Sequence, residues 1–334
     1  MHVPDGFFNA ATSISAGAVA AAGIAVCLRG ARRELDDRTA PMAGLVAAFI
    51  FATQMINFPV AAGTSGHLLG GALAAILVGP YTGVLCMAVV LLVQGLFFAD
   101  GGLTALGINI TLMGVVTVLV GWGVFKLVTG LARGQVVVAA FLAALVSVPV
   151  SALAFTLLFW IGGTAPIEAG TVAAAMGGVH LLIGIGEGLI TAATVGAVLA
   201  VRPDLVYAAR GLAKPLVLRG ADGSGTTVGE PEPAPAAPGA LRPFLLGGVG
   251  VTLVLAGIVS FFASSSPDGL EAVAEDKGFI DQAADHVFGS WALADYGEVG
   301  GIPVGVAGVI GVGLVLVVAG AVAYAARGRD RVEV

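Results

Sequence analysis

The chain opens Met1-His2-Val3-Pro4-Asp5-Gly6 and holds four histidines in all, His2, His67, His180 and His286. A histidine in second position, behind a free amine, has a distinctive chemistry. The terminal amine, the amide nitrogen of His2 and its imidazole Nδ1 close two fused chelate rings around one divalent cation. The amide must lose its proton, which Ni²⁺ and Cu²⁺ promote and Zn²⁺ or Mg²⁺ do not. Three nitrogens then share a plane with the fourth corner open, and square-planar nitrogen coordination is diagnostic of Ni(II) or Cu(II). Another imidazole would complete the square. Pro4 and Gly6 predict a turn, so that the terminus folds back instead of running straight into the first helix.

The elements that position these residues are those of a membrane protein. Of 334 residues, 58% are hydrophobic and 11% charged, and apolar stretches long enough to cross a bilayer recur throughout. Hydropathy predicts an all-α polytopic protein with spans at 9–28, 41–60, 67–79, 81–98, 103–128, 136–161, 172–201, 243–263 and 302–326. Arg29, Arg32, Arg33 and Arg38 follow the first span, which puts that loop in the cytoplasm and the N-terminus outside. Alternation then places fourteen of the fifteen basic residues inside, with Lys277 outside, and the C-terminus is cytoplasmic. Span 1 does not read as a cleaved signal peptide, because positive charge follows the apolar run and Asp5 precedes it. Histidine is too large a second residue for ready methionine removal, so Met1 with its free amine is expected to persist. Cys27 and Cys86 fall inside apolar runs and read as packing thiols.

The third span is short. From His67 to Val78 is twelve residues, on the order of 18 Å of helix against a hydrocarbon core of about 30 Å. The preceding "AAGTSG" is therefore expected to dip into the membrane, which irregular backbone does only when it lines a cavity or is buried in protein. That expectation sets His67 at the floor of an outward recess, on the same face as the terminus. A histidine at a helix start also serves as an ordinary hydrogen-bonding cap, and residue types alone leave both roles open.

The chain divides into a seven-span module over 1–215, a Gly-, Pro- and Ala-rich cytoplasmic linker over 216–242 expected to be disordered, and a two-span module over 243–334. The outer segment 264–301 of the second module carries eight acidic residues against Lys277. It reads either as a solvated loop or as a surface that gathers cations or docks over the mouth of the first module. None of the three lysines sits in a phosphate-binding loop, so no nucleotide site is expected, nor a nucleic-acid partner. Uphill transport would need a separate ATPase or an ion gradient.

"MHVPDGF", "NFPVAAGTSGHLLGG", "LLVQGLFFADGGLTALGINI" and "HLLIGIGEGLIT" resemble the CbiM/NikM-type substrate-specific component of energy-coupling-factor cobalt and nickel transporters, over residues 1 to about 205. The second module, with "SPDGLEAVAEDKGF", resembles the small accessory component of the same systems, fused in one chain. The resemblance implies a Ni²⁺ or Co²⁺ substrate held by Met1, His2 and His67. It implies a transmembrane coupling subunit and cytoplasmic ATP-binding-cassette ATPases as partners, a bacterial plasma membrane location, and no enzymatic chemistry in this chain. Asn57, Asp100 and Asn109 lie in the resembling segments on the outer side and are expected to orient the ligands. His180 and Glu187, seven apart, share one face of the seventh span, and ionisable groups there are functional suspects; His180 and His286 read as structural. Gly184 and Gly188, and Gly70 with Gly71, suit close helix packing, internally or against the coupling subunit. The competing functions are a stand-alone secondary transporter or channel, and a membrane metal sensor.

Overall fold

The computed structural model describes residues 1–36, 39–61, 63–132, 134–210, 217–219, 225–227 and 241–328. Helix α1, Ala10–Gly30, starts where the Asn9 side chain accepts the Thr12 amide at 2.9 Å, as a short amide does at an N-cap. Helix α2, Ala40–Gln54, leads into an antiparallel hairpin, β1 Phe58–Ala61 with β2 Thr64–Gly66. Helix α3, Gly71–Val78, lasts only eight residues. Gly70 and Gly79 bound it at φ +90° and +97°, conformations that suit glycine and end regular helix. Pro80 then opens α4, Pro80–Val93, where its missing N–H is no loss.

Helix α4 widens into a π-helical stretch, Gln94–Phe98, and α5, Leu106–Asn109, widens into another, Ile110–Val116, before α6, Thr117–Leu131. Such wide turns gather at functional sites, and these two border Gln94 and Asn109. Helices α7, Val136–Gly162, and α8, Ala169–Val201, pack against each other. Strands β3, Val217–Arg219, and β4, Gly225–Thr227, pair antiparallel. The second module holds α9, Leu241–Gly257, a short helix α10, Gly269–Lys277, and α11, Val304–Ala326.

Among the described residues, seven helical segments are long and apolar enough to cross a membrane. They fall at seven of the nine expected spans. The other two are shorter than expected. The apolar run at 41–60 stops being helix at Gln54 and turns into the hairpin, where Pro59 offers no N–H to a helix. The run at 67–79 is helical only from Gly71, so His67 does not begin a helix but lies in the extended segment before it. The expected disordered linker at 216–242 lies outside the described residues, apart from the β3–β4 pair and the first two residues of α9. Cys27 and Cys86 are free and buried.

The second module packs into the first. Helix α11 lies against α2 and α4, and α10 against α8. A separate apolar cluster joins Met1, Val3, Phe7 and Phe8 to Phe155 and Phe159 of α7 and to Leu270 and Phe279 of the segment between α9 and α11. The opening residues are therefore core.

Candidate metal centre

Three anchors hold the opening segment. Val3 donates its N–H to Asn109 Oδ1 at 2.8 Å, and its carbonyl accepts from Asn109 Nδ2 at 3.0 Å and from the Gly102 amide at 2.8 Å. The Asp5 carboxylate accepts from the Leu103 and Thr104 amides at 3.2 and 2.7 Å and from the Thr104 hydroxyl at 2.5 Å. Phe7 meets Phe279 edge-on at 5.3 Å, and Phe8 meets Phe155 at 5.6 Å. Gly102 is required by the close approach, because a methyl there would lie 2.1 Å from the Asp5 nitrogen. Asn109 thus matches both hydrogen-bonding groups of one peptide residue, the complement a carboxamide provides.

These anchors put the Met1 amine, in a residue only 2% exposed, directly against His67 Nε2. The partner of His67 Nδ1 is the Leu68 carbonyl at 3.0 Å. A carbonyl only accepts, so Nδ1 carries the proton and Nε2 turns its lone pair to the amine. The segment bearing His67 is pinned from below: buried Glu187 on α8 accepts the Leu69 amide at 2.6 Å and the Gly70 amide at 3.0 Å. The His2 ring stacks on that of His67, centroids 5.0 Å apart and planes 21° off parallel. His2 Nε2 lies 3.2 Å from Gln94 Oε1, and Nδ1 lies 3.2 Å from Asp100 Oδ1. Burial lowers the His2 pKa to about 4, against the pull of Asp100 and with the help of His67 and the terminal amine. The imidazole is thus neutral near pH 7, the form that binds metal.

A carboxylate from the second module completes the cluster. Asp268 Oδ2 accepts from the Met1 amine at 2.8 Å and stands 3.5 Å from His67 Nε2. Its other oxygen, Oδ1, caps α10, accepting from the Leu270 and Glu271 amides at 2.7 and 2.9 Å, while Glu271 reaches back to the Asp268 N–H. One side chain thus starts a helix and holds the chain terminus. Burial alone would raise the Asp268 carboxyl, but the ammonium beside it holds it well below the usual carboxylate range.

The Asp268–Glu271 spacing is the capping-box pattern, and it is legible in "SPDGLE". The second task of Asp268 has no such signature, nor do Gln94 and Tyr296, which also border the site. Gly269 explains how close α10 can come. A methyl at Gly269 would lie 2.6 Å from Ile183 Cδ1, 3.0 Å from Val179 Cγ1 and 3.1 Å from His180 Cε1, all on α8. Gly269→Val is expected to cost about 1–3 kcal/mol through overpacking, read as a lower unfolding temperature, and Gly269→Ala less. A Val variant as stable as wild type would show that α10 does not bear on α8 this way.

The site borders a cavity of about 550 Å³ whose walls include His2, Gln54, Asn57, His67, Asp100 and Asp268. Of the residues expected from sequence, Met1, His2, His67, Asp100 and Asn109 come together here. Asn57 is at the cavity wall, and its carbonyl accepts from the Ser264 amide at 2.8 Å. Glu187 is one layer below, acting on the His67 segment. His180 is fully buried on the same face of α8, its Nδ1 donating to the Met176 carbonyl at 2.9 Å, and it is not in the cavity wall. His286 is at the wall and accepts from the Phe288 amide at 3.0 Å. Within "AAGTSG", Thr64–Gly66 forms β2 of the hairpin and binds the second module: Ser65 donates to the Pro267 carbonyl from its amide at 2.9 Å and to the Ser266 carbonyl from its hydroxyl at 2.8 Å. Among the described residues, no three His, Cys, Asp or Glu side chains form a metal-ligating group. A nitrogen-rich set here draws on the amine and the backbone.

The family described as the cobalt uptake substrate-specific transmembrane region, CbiM, matches residues 2–205, and the PDGLE domain matches residues 242–328. A putative metal transport protein of Haloquadratum walsbyi is 42% identical over 207 residues, covering 62% of this chain and 94% of that protein. A putative fused nickel transport protein, NikMN, of Archaeoglobus fulgidus is 40% identical over 206 residues, covering 62% of this chain and 68% of its own length. Among solved structures, a truncated transition metal transporter superposes with a TM-score of 0.55 at 28% identity, covering 60% of this chain and 99% of that one. With its seven membrane-length helices, this multi-pass membrane protein belongs to the CbiM family and carries a PDGLE domain behind the CbiM region.

Proposed function

We propose that the chain is the metal-capturing subunit of a Ni²⁺ or Co²⁺ uptake transporter, holding the ion through the Met1 amine, the His2 amide nitrogen and Nδ1, and His67 Nε2. The observation that carries the reading is the meeting of the terminal amine with the lone-pair nitrogen of His67, the neutral His2 ring stacked alongside. Four nitrogens suit nickel or cobalt and disfavour Mg²⁺ and Ca²⁺, which prefer oxygen cages. Nickel and cobalt are also the metals named for the relatives and the family.

The terminus and the PDGLE segment face outward in this reading, since the basic residues gather on the opposite side. Metal enters from outside through the cavity. The chain has no phosphate-binding loop, so a transmembrane coupling subunit and cytoplasmic ATPases supply the energy for inward release. The accessory module closes over the site and contributes Asp268.

His2→Ala and His67→Ala are each expected to abolish nickel binding in titration calorimetry of the purified protein, with the unfolding temperature little changed. Wild-type affinity in either variant rules out this ligand set.

A further inference from the structure

Two neighbours in the outer segment, Asp295 and Tyr296, hold left-handed backbone at φ +49° and +48°. Residues other than glycine adopt that conformation only at an energetic cost, and such strain gathers at functional sites. Here it accompanies one particular side-chain placement. The Tyr296 ring stacks on Phe98 at 5.1 Å and 25°. Its hydroxyl lies 2.5 Å from Asp100 Oδ2 and 3.2 Å from Gln94 Nε2.

The direction of each hydrogen bond follows from what the groups can do. A carboxylate only accepts, so the phenol donates to Asp100 and its oxygen accepts from the Gln94 N–H. Burial, with the Asp100 charge added, pushes the Tyr296 phenol well above its ordinary value, and the proton stays in place. The carboxamide is then fixed with Oε1 toward His2 Nε2, 3.2 Å away. A neutral imidazole has one proton to give, and of its two contacts only the one from Nε2 to Oε1 has hydrogen-bond geometry, so Nε2 carries it. Nδ1 keeps a bare lone pair, facing Asp100 Oδ1 at 3.2 Å. Two electron-rich atoms that face each other so closely favour a cation between them. Without the hydroxyl the carboxamide is free to turn, and His2 donates from Nδ1 to Asp100 instead, which blocks the nitrogen that the chelate uses.

We propose that Tyr296 is a positioning residue for metal capture: reaching over from the second module, it sets through Gln94 the His2 tautomer whose Nδ1 is open to metal. The proposal rests on the ligand reading above. It gives the PDGLE module a task beyond covering the site, because the module selects the form of the imidazole that can load.

The test compares wild type with Tyr296→Phe and Gln94→Met in the full chain with its native terminus. Phenylalanine retains the stack on Phe98, and Gln94→Met breaks the same link from its other side should Tyr296→Phe fold poorly. Nickel affinity is measured by calorimetry, and ¹⁵N spectra of the metal-free, histidine-labelled protein report the tautomer. Wild type is expected to show His2 as the Nε2–H form. Both variants are expected to mix tautomers and to bind nickel about 10–100-fold more weakly, the loss usual when a group orienting a metal ligand is removed. Wild-type affinity in both variants overturns the proposal, and so does weaker binding with the Nε2–H form intact. His2→Ala assigns the resonance and separates the two failures. If His2→Ala binds nickel like wild type, the ligand reading itself has failed. If it loses nickel while both variants keep theirs, the Tyr296 assignment alone has failed.

Discussion

A chain carrying two extra residues before Met1 is expected to bind no nickel, while a chain with its native terminus, tagged at the C-terminus, is expected to bind fully. Two consequences of the extension act together. The amine becomes an amide, which has no lone pair to offer and no charge for Asp268. The terminus also has no room to grow, because Met1 is 2% exposed and its nitrogen is enclosed by His67 and Asp268. The added residues must push His2 off the His67 ring or lift the PDGLE segment. The anchors at Asn109, Thr104 and the Phe7–Phe8 cluster lie downstream of the change, so the fold and the unfolding temperature are expected to stay near wild type. Acetylation of Met1 separates the two effects, since it removes the amine with little added bulk, and it should abolish binding as well. Equal nickel affinity in the extended and native forms would make the terminus a lid and remove it from the ligand set.

The second large effect is expected at Glu187→Ala. The carboxylate is fully buried and both its oxygens are used, on the Leu69 and Gly70 amides. Truncation leaves two buried N–H groups without partners, each costing about 1–3 kcal/mol. The segment that carries His67 loses its floor at the same time. A stability loss of about 4 kcal/mol and loss of nickel binding are expected together, read by thermal unfolding and calorimetry. Glu187→Gln should fall between, since a carboxamide accepts one N–H but turns a donor toward the other. A Glu187→Ala protein with wild-type unfolding temperature and affinity would show that the His67 segment is held by something else.

Both sites were partly legible in the sequence, and the difference between them is physical. The chelate proposed at Met1-His2 is local chemistry, set by adjacent atoms, and needs no fold to be conceived. The long apolar runs were legible for the same reason, since length and composition decide whether a helix reaches across a bilayer. The two runs at 41–60 and 67–79 misled because hydropathy averages over Pro59, Gly70 and Gly79, and those residues end helix through backbone geometry. Glu187 was visible as an ionisable group inside a span, but its partners are backbone amides more than a hundred positions away. Asp268 was visible as one of eight acidic residues in a loop, and nothing in residue type separates it from the others. Only its seat at the start of α10, against α8, aims one oxygen at the terminus. Tyr296 depends on two left-handed residues that carry no glycine signal at all.

The Met1 nitrogen and the Asp268 carboxylate lie 267 positions apart, which bears on the order in which the centre comes into being. Met1 and His2 leave the ribosome before His67, which joins them while most of the chain is still unmade. A chain paused in the linker already holds all the proposed donors but has neither Asp268 nor Tyr296. Closing so long a loop costs little more than closing one of half the length, so the delay comes from synthesis and insertion and not from the closure itself. The newborn protein therefore passes through a stage in which the proposed donors stand uncovered by the PDGLE segment, and fusion of the two modules in one polypeptide makes that stage as short as translation allows.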